Sequence, residues 1–153
     1  MRSGDLTGLV DTLTNRLGAS RLYRLTPVES EVPERSCRVV PALAPAVGAS
    51  WPEGWPRPTR LLTPPEPVET IALLPDHPPV QFTWRGQRHR VRAADGPERI
   101  FGEWWRGDAE THAVRDYFQV EDEKGSRFWL YRSGNGLDPG TGSQRWFIQG
   151  IFG

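Results

Sequence analysis

The sequence predicts a mainly β fold, a small antiparallel meander or half-open barrel in its C-terminal half, preceded by one short helix and a proline-rich extended segment. Three observations predict it. Short alternating segments separated by glycine turns follow residue 79, many of the chain's 15 prolines lie before that point, and apolar residues repeat at helical spacing near the N-terminus. The corresponding ranges are 1–25, 26–78 and 79–153.

The stretch 115–132 predicts the central hairpin of the C-terminal region. Two runs of aromatic and branched residues flank an acidic turn, 123–126, in which Gly125 can adopt a positive φ. Successive residues of a strand point to opposite faces. In the simplest register one face therefore carries Phe118, Val120, Phe128 and Leu130, and the other carries Gln119, Glu121, Arg127 and Trp129.

Residues 6–17 predict an amphipathic helix, with Asp5 as a candidate N-cap and Gly18 just past its end. A helix of about 12 residues is marginal alone, so its apolar stripe is expected to dock on this chain or on a preceding domain. The stripe comprises Leu6, Leu9, Val10, Leu13 and Leu17. After the helix, a brief strand is expected at 21–25.

The proline-rich stretch 26–69 is expected to be mostly irregular, because proline removes a backbone donor and holds the chain extended. Short strand pairing is expected around 38–40 and 69–73. Trp51 and Trp55 are unusual in such a segment. They are interpreted either as packing on a core edge or as contacts with a partner protein.

After residue 79, the segments 80–84 and 87–93 alternate apolar and polar residues around an Arg85–Gly86 turn. A further turn is expected at 95–97, and a last strand at 145–152. The alternation predicts a core-facing set: Val80, Phe82, Trp84, His89 and Val91. Arg88, Arg90 and Arg92 are then expected on the opposite, exposed face.

Composition excludes several function classes. Nineteen basic and nineteen acidic residues balance, so no bulk charge attracts nucleic acid or an anionic membrane. One cysteine, Cys37, excludes an internal disulfide and a multi-cysteine metal site. The chain shows no leader and no apolar run long enough to span a membrane, which favours a cytoplasmic location.

Candidate chemistry is weak. The three histidines lie in no recognised motif, and the acidic run 121–123 lies in a turn, where a solvated charge cluster is the common outcome. The sequence therefore predicts no enzyme, no cofactor and no metal site. An alternative function is a single-stranded nucleic-acid-binding β domain that uses Arg88, Arg90 and Arg92 to track phosphates. The competing interpretation is a solvated strand face neutralised by carboxylates such as Glu98 and Glu121.

An ordered set of motifs carries a family resemblance. The stretches LVDTLTNRLGASRLYRLTPVESEVPER, PTRLLTPPEPVE, FTWRGQRHRV, GPERIFGEWW, RDYFQVEDEKGSRFWLYR and RWFIQGIFG resemble, in that order, the C-terminal region of the ImuB family. These are Y-family polymerase-like proteins of the bacterial mutagenesis cassette. The palm, the fingers and most of the polymerase-like core have no counterpart here, so the chain is expected to be a fragment, a truncated product or a split homologue.

The resemblance implies a non-catalytic adaptor role in translesion synthesis and mutagenesis induced by DNA damage in the SOS response. The implied partners are an error-prone C-family DNA polymerase and a RecA-like accessory protein, with the sliding clamp and DNA reached through the rest of the parent protein. Tryptophan often dominates interface energetics. The partner-binding candidates are therefore Trp51, Trp55, Trp104 and Trp105.

Overall fold

A computed structural model describes the backbone of residues 3–153 and the side chains of residues 6–153. The chain forms two compact units, Met1–Trp55 (unit 1) and Pro56–Gly153 (unit 2). This division differs from the predicted boundaries, because the proline-rich range 26–78 contributes strands to both units instead of forming a linker.

Unit 1 contains helix α1 (Ser3–Leu17) and a two-stranded antiparallel sheet of β1 (Tyr23–Pro27) and β2 (Cys37–Pro41). The helix begins earlier than predicted, so Asp5 lies within its first turns instead of at the N-cap, and its side chain is outside the described residues. Gly18 ends the helix as predicted. It has a φ of 88°, and its N–H donates to the carbonyl of Thr14 at 2.9 Å.

Unit 2 is a curled antiparallel sheet of six strands in meander order. Each strand pairs with the next, and β3 also pairs with β8, so the pairing continues around the sheet. The predicted mainly β fold with an antiparallel meander is confirmed. The strands are β3 (Arg60–Ile71), β4 (Gln81–Trp84), β5 (Gln87–Phe101), β6 (Val114–Asp122), β7 (Arg127–Ser133) and β8 (Trp146–Ile151).

Strand β3 is the largest departure from the sequence prediction, which expected a strand only at 69–73. It contains Pro64, Pro65 and Pro67, yet it pairs with both β8 and β4. Its register against β8 shifts between Leu61 and Glu66. Pro64 and Pro65 lie inside this interruption, where the regular ladder that needs an N–H at alternate positions is broken, whereas Pro67 is paired with Phe147.

The turn predicted at 95–97 is wrong, since β5 runs through it. The register against β6 shifts between Asp95 and Glu98, which marks a bulge and not a reversal of the chain. Gly96 has a φ of 134°, and a Cβ at this position would lie 2.7 Å from the carbonyl oxygen of Tyr117. The strand can approach β6 this closely only with glycine at this point.

The core lies inside the curled sheet, and the predicted register of the central hairpin is confirmed. Phe118 pairs with Leu130 and Val120 with Phe128, across a turn in which Gly125 has a φ of 83°. Val80, expected in the core, is exposed instead, because it lies just before β4. The buried core residues are Leu62, Phe82, Phe118, Val120, Phe128, Leu130, Trp146 and Ile148.

The outer face of the central hairpin is also covered. Trp129 is buried, with the guanidinium of Arg57 4.9 Å from its ring centre. Arg57 also forms two hydrogen bonds with the Glu98 carboxylate, at 2.7 and 2.9 Å. The segment preceding β3 therefore packs on the outside of the sheet.

Candidate protein-interaction site

Three loops lie at one end of the curled sheet. They join β3 to β4 (72–80), β5 to β6 (102–113) and β7 to β8 (134–144). In an up-and-down meander, alternate connections fall at the same end. Hydrogen bonds agree: Arg132, at the end of β7, donates to the carbonyl of Pro75, and the N–H of Gly134 donates to the carbonyl of Val114 at 2.7 Å. We call this region the loop end.

The loop end carries large apolar side chains that are exposed. The exposed fractions are 61% for Phe101, 68% for Trp104, 66% for Trp105, 77% for Leu73 and 74% for Leu137. The rings of Trp104 and Trp105 meet edge to face, with centroids 5.9 Å apart. Isolated exposed apolar residues are common on proteins, whereas several on neighbouring loops make this end of the sheet the candidate interaction site.

The Trp104–Trp105 turn is fixed by polar contacts within its own loop. The N–H of Gly102 donates to the carbonyl of Ala113 at 2.8 Å, and the N–H of Glu103 donates to the Glu110 carboxylate at 2.9 Å. The buried Glu103 carboxylate lies 2.7 Å from Arg106 Nε. The two tryptophans are thus presented on a braced 3₁₀ turn, which lowers the entropy lost on binding.

A buried charge network lies beneath the loops. Arg132 donates to Asp116 at 2.9 Å and to the carbonyl of Gly134 at 3.3 Å, besides its bond to Pro75. Arg99 donates to both oxygens of Asp116, at 2.7 and 2.9 Å, and this hydrogen bonding raises the pKa of Arg99. The buried Asp116 carboxylate thereby joins three strands, β5, β6 and β7, and Arg132 extends the network to two of the loops.

The third loop is held by Gln144. Its Oε1 accepts from the N–H of Gly136 at 2.8 Å, and its Nε2 donates to the carbonyl of Asp138 at 3.0 Å. Asp138 Oδ1 in turn accepts from the N–H of Gly140 at 2.8 Å. Leu137 therefore projects from a loop whose backbone groups are bonded internally.

An open cleft of about 530 Å³ lies between the second and third loops, lined in part by Phe101, His112, Val114 and Thr141. Acidic residues outnumber basic ones in the three loops: buried Glu103 pairs with Arg106, and Asp76, Asp108, Glu110 and Asp138 remain. The loop end therefore combines apolar anchors with a negative rim.

The other two predicted partner contacts lie in unit 1. Trp51 is half-exposed, and its indole N–H donates to the carbonyl of Ser36 at 3.0 Å. Trp55 is partly buried at the end of the unit. The structure therefore groups Trp104 with Trp105 but places Trp51 and Trp55 in the other unit.

The arginine row lies on the exposed face of β5, as predicted, but acids neutralise part of it. Arg92 donates to Glu121 at 2.6 Å, and Arg90 lies 3.7 Å from Glu123. Glu98, the other carboxylate expected to neutralise the row, pairs with Arg57 instead. The row is thus less positive than three free guanidiniums would be.

At the opposite end of the sheet, the turns 85–86 and 123–126 reverse the chain, and we call this region the turn end. Buried His89 Nδ1 lies 2.9 Å from Asp122 Oδ2, and the His89 ring stacks on Phe82 with centroids 4.7 Å apart. His89 Nε2 is buried without a hydrogen-bond partner among the described residues. Asp122 is the last residue of β6 and accepts hydrogen bonds from the turn that follows it, so this pair connects β5 to the end of β6.

Burial alone would raise the pKa of Asp122, but hydrogen bonds from His89 and from the N–H groups of Ser126 and Lys124 lower it below its usual value. Across residues 6–153 no group of three or more histidine, cysteine or acidic side chains could hold a metal ion. No helix in the described part of the chain is long and apolar enough to cross a membrane.

Sequence reasoning found Trp104 and Trp105 but did not single out Leu73, Phe101 or Leu137 as interaction candidates. A signal was present for Leu137, a large apolar residue in a loop of glycines and polar residues. The grouping of the three loops follows only once β3 is recognised as part of the sheet.

Residues 65–152 match a family model described as Domain of unknown function (DUF6504). The chain belongs to this family. The matched residues begin within β3 and end one residue before the end of unit 2. All three loops of the loop end therefore lie inside the DUF6504 domain.

The chain is also 49% identical, over 97% of its length, to Protein ImuB from two strains of Caulobacter vibrioides. The match falls in the C-terminal region of these relatives and covers 33% of each, so the chain spans about a third of their length. The predicted resemblance to the C-terminal region of ImuB is confirmed. No solved structure matches the chain.

Proposed function

We propose that this chain is a non-catalytic adaptor module that acts in translesion synthesis induced by DNA damage, and that the loop end of unit 2 binds its protein partner. The proposal is carried by one observation: several large apolar side chains project together from internally braced loops. Similarity to ImuB supports the cellular context.

The chemistry of the loop end defines the partner. Trp104, Trp105 and Phe101 offer an apolar contact beside an open cleft, while the surrounding carboxylates favour positive charge. We therefore expect a partner segment with a large apolar anchor flanked by Arg or Lys. The error-prone C-family polymerase and the RecA-like accessory protein of the mutagenesis cassette are the candidates, with the sliding clamp as a third.

The test is a binding titration of the purified chain against each of the three proteins. Replacing both tryptophans (Trp104→Ala with Trp105→Ala) is expected to weaken capture by about 30-fold or more, as loss of central aromatic anchors does. Trp51→Ala is the matched control, since it removes a half-exposed tryptophan of unit 1. Equal weakening by both variants, or no capture of any of the three proteins, would overturn the assignment to the loop end.

The nucleic-acid alternative is tested in the same series. If Arg88, Arg90 and Arg92 bind single-stranded DNA, affinity falls steeply as salt rises, and Arg88→Ala removes part of that dependence. Salt-sensitive DNA binding without capture of a protein would replace the adaptor proposal with this one.

A further inference from the structure

The two-stranded sheet of unit 1 has one face made entirely of apolar residues and cysteine. Residues directly opposite each other on antiparallel strands share a face. Tyr23 is opposite Pro41, Leu25 opposite Val39 and Pro27 opposite Cys37. The exposed fractions of Tyr23, Leu25 and Val39 are 57%, 55% and 63%. We call these six residues the apolar ribbon face.

The opposite face of the same sheet is treated differently by the chain. It carries Arg24 opposite Val40 and Thr26 opposite Arg38. Arg24 donates to the carbonyls of Ala44 and Pro45, which lie in the segment after β2. Thr26 is buried. The chain's own contacts therefore lie on the polar face, whereas four of the six residues of the apolar ribbon face are exposed: Tyr23, Leu25, Val39 and Pro41.

The exposed apolar surface extends beyond the sheet. A cleft of about 430 Å³ lies beside α1, lined by Val10 of the helix and by Tyr23 and Val39 of the apolar ribbon face. The helix itself exposes half of Leu6 and half of Leu9. Among the described residues of unit 1 only Thr26, Val32 and Pro33 are buried.

Such a unit is not expected to be stable with this surface in water. An isolated two-stranded sheet is marginal, and a short amphipathic helix gains most of its stability from packing. An apolar face of this kind marks a surface that another polypeptide covers.

The relatives indicate what covers it. The similarity to ImuB takes in 97% of this chain, which includes most of unit 1, and it falls at the C-terminal end of proteins about three times as long. Unit 1 thus corresponds to the part of the match that adjoins the remaining two thirds of the relatives.

We propose that the apolar ribbon face docks onto the part of an ImuB-type protein that precedes the matched region, whether that part belongs to the same polypeptide or is supplied separately. The occupant is an apolar surface of that region that completes a core with Tyr23, Leu25 and Val39. This contact is separate from the loop end of unit 2 and does not depend on the partner proposed for it.

Hydrogen exchange tests the proposal in complete polypeptides. A chimera is made in which this chain replaces the matched third of Caulobacter vibrioides ImuB, and it is compared with this chain alone. Amides of 23–26 and 37–40 are expected to exchange about tenfold more slowly, or slower still, in the chimera, because the docked sheet opens less often. In the chimera, Leu25→Glu with Val39→Glu should remove the slowing.

Arg38→Glu is the matched control, since it places the same charge on the opposite face of the same sheet. Arg38→Glu should leave the slower exchange of the chimera unchanged. Trp104→Ala with Trp105→Ala should leave it unchanged too, because those residues belong to the loop end, so this variant separates the docking contact from the proposed function. Amides of β6 and β7 report whether unit 2 remains folded in each variant.

Three results would overturn the proposal: equal exchange in the chimera and the isolated chain, slowing that survives Leu25→Glu with Val39→Glu, or protection of the isolated chain that increases with its concentration. The last would show that a second copy of the chain covers the face. If the variant with two glutamates fails to fold, the milder pair Leu25→Ala with Val39→Ala replaces it and should also reduce the slowing of exchange in the chimera.

Discussion

The loop end and the turn end of unit 2 are built on the same six strands, yet their side chains are arranged in opposite ways. At the turn end a polar pair, His89–Asp122, is buried in the sheet, and the connections are short. At the loop end, apolar groups such as Trp104 and Leu137 are exposed above a buried charge network. The comparison teaches that, among the described residues, the large exposed apolar side chains of unit 2 lie mostly at the loop end, directly above a polar network that stabilises the sheet.

The largest effect is expected at the base of the loop end, where Asp116 joins Arg99 and Arg132. Asp116→Asn leaves the buried guanidinium of Arg132 without its ion-pair partner and should cost about 3–5 kcal/mol of unfolding free energy. Urea unfolding followed by tryptophan fluorescence measures it. Arg99→Ala is the control and should cost less, because Arg99 is 43% exposed. A loss equal in the two variants would contradict this view of the network.

A smaller loss is expected at the turn end. Asp122→Asn weakens the bond to buried His89 and the two backbone bonds of the turn, and should cost about 1–3 kcal/mol at neutral pH. The folded pKa of Asp122 is lowered, so its contribution is complete above the unfolded value of 3.8 and is lost as pH falls through the folded value.

The wild type and Asp122→Asn should therefore differ at pH 7 and converge below the folded pKa of Asp122. Denaturant unfolding at a series of pH values checks this. A difference that persists unchanged into strong acid would show that the packing of His89, and not the charge of Asp122, carries the effect.

A weaker contact supports the turn end from β3. The Glu66 carboxylate accepts from the Trp84 indole at 2.7 Å and from Arg85 Nε at 2.9 Å. The hydrogen bond from Arg85, then that from Trp84, lowers the pKa of Glu66 to about 2. Glu66→Gln should destabilise unit 2 less than Asp122→Asn, because the group is solvated and screened.

The Glu66 contribution should also vanish as pH falls from 4.5 through 2, since a lowered folded pKa stabilises only the ionised form. The shift in unfolding midpoint is measured at low and high salt. Arg88→Gln, which removes a charge from the exposed face of β5, is the comparison variant. A Glu66→Gln effect that does not change with salt would mean that packing on Trp84 dominates.

The sequence could predict the turn end better than the loop end, for a physical reason. The central hairpin depends on local alternation and on Gly125, so the pairing of Phe118 with Leu130 follows from the residues themselves. Strand β3 could not be predicted in full, because it contains three prolines, and proline-rich sequence is typical of a segment that is not paired in a sheet. Without β3, neither the contact of Arg132 with Pro75 nor the approach of Leu73 to the loop end could be inferred.

The smallest effect on stability is expected from the most exposed aromatic pair, and it tests the comparison of the two ends most sharply. Trp104 and Trp105 are 68% and 66% exposed, and the bonds that hold their turn come from Gly102, Glu103 and Arg106. Each single substitution to alanine should therefore change the unfolding free energy by no more than about 0.5 kcal/mol.

Two large side chains that contribute so little to folding leave apolar surface in water, and a binding surface accounts for that exposure. Phe128→Ala, which removes a buried aromatic ring of the same sheet, is the matched control and should cost about 3–5 kcal/mol. If Trp104→Ala destabilises unit 2 as strongly as Phe128→Ala, the tryptophans belong to the fold and not to a binding surface. If it leaves stability unchanged while partner binding weakens, recognition is confined to the loop end.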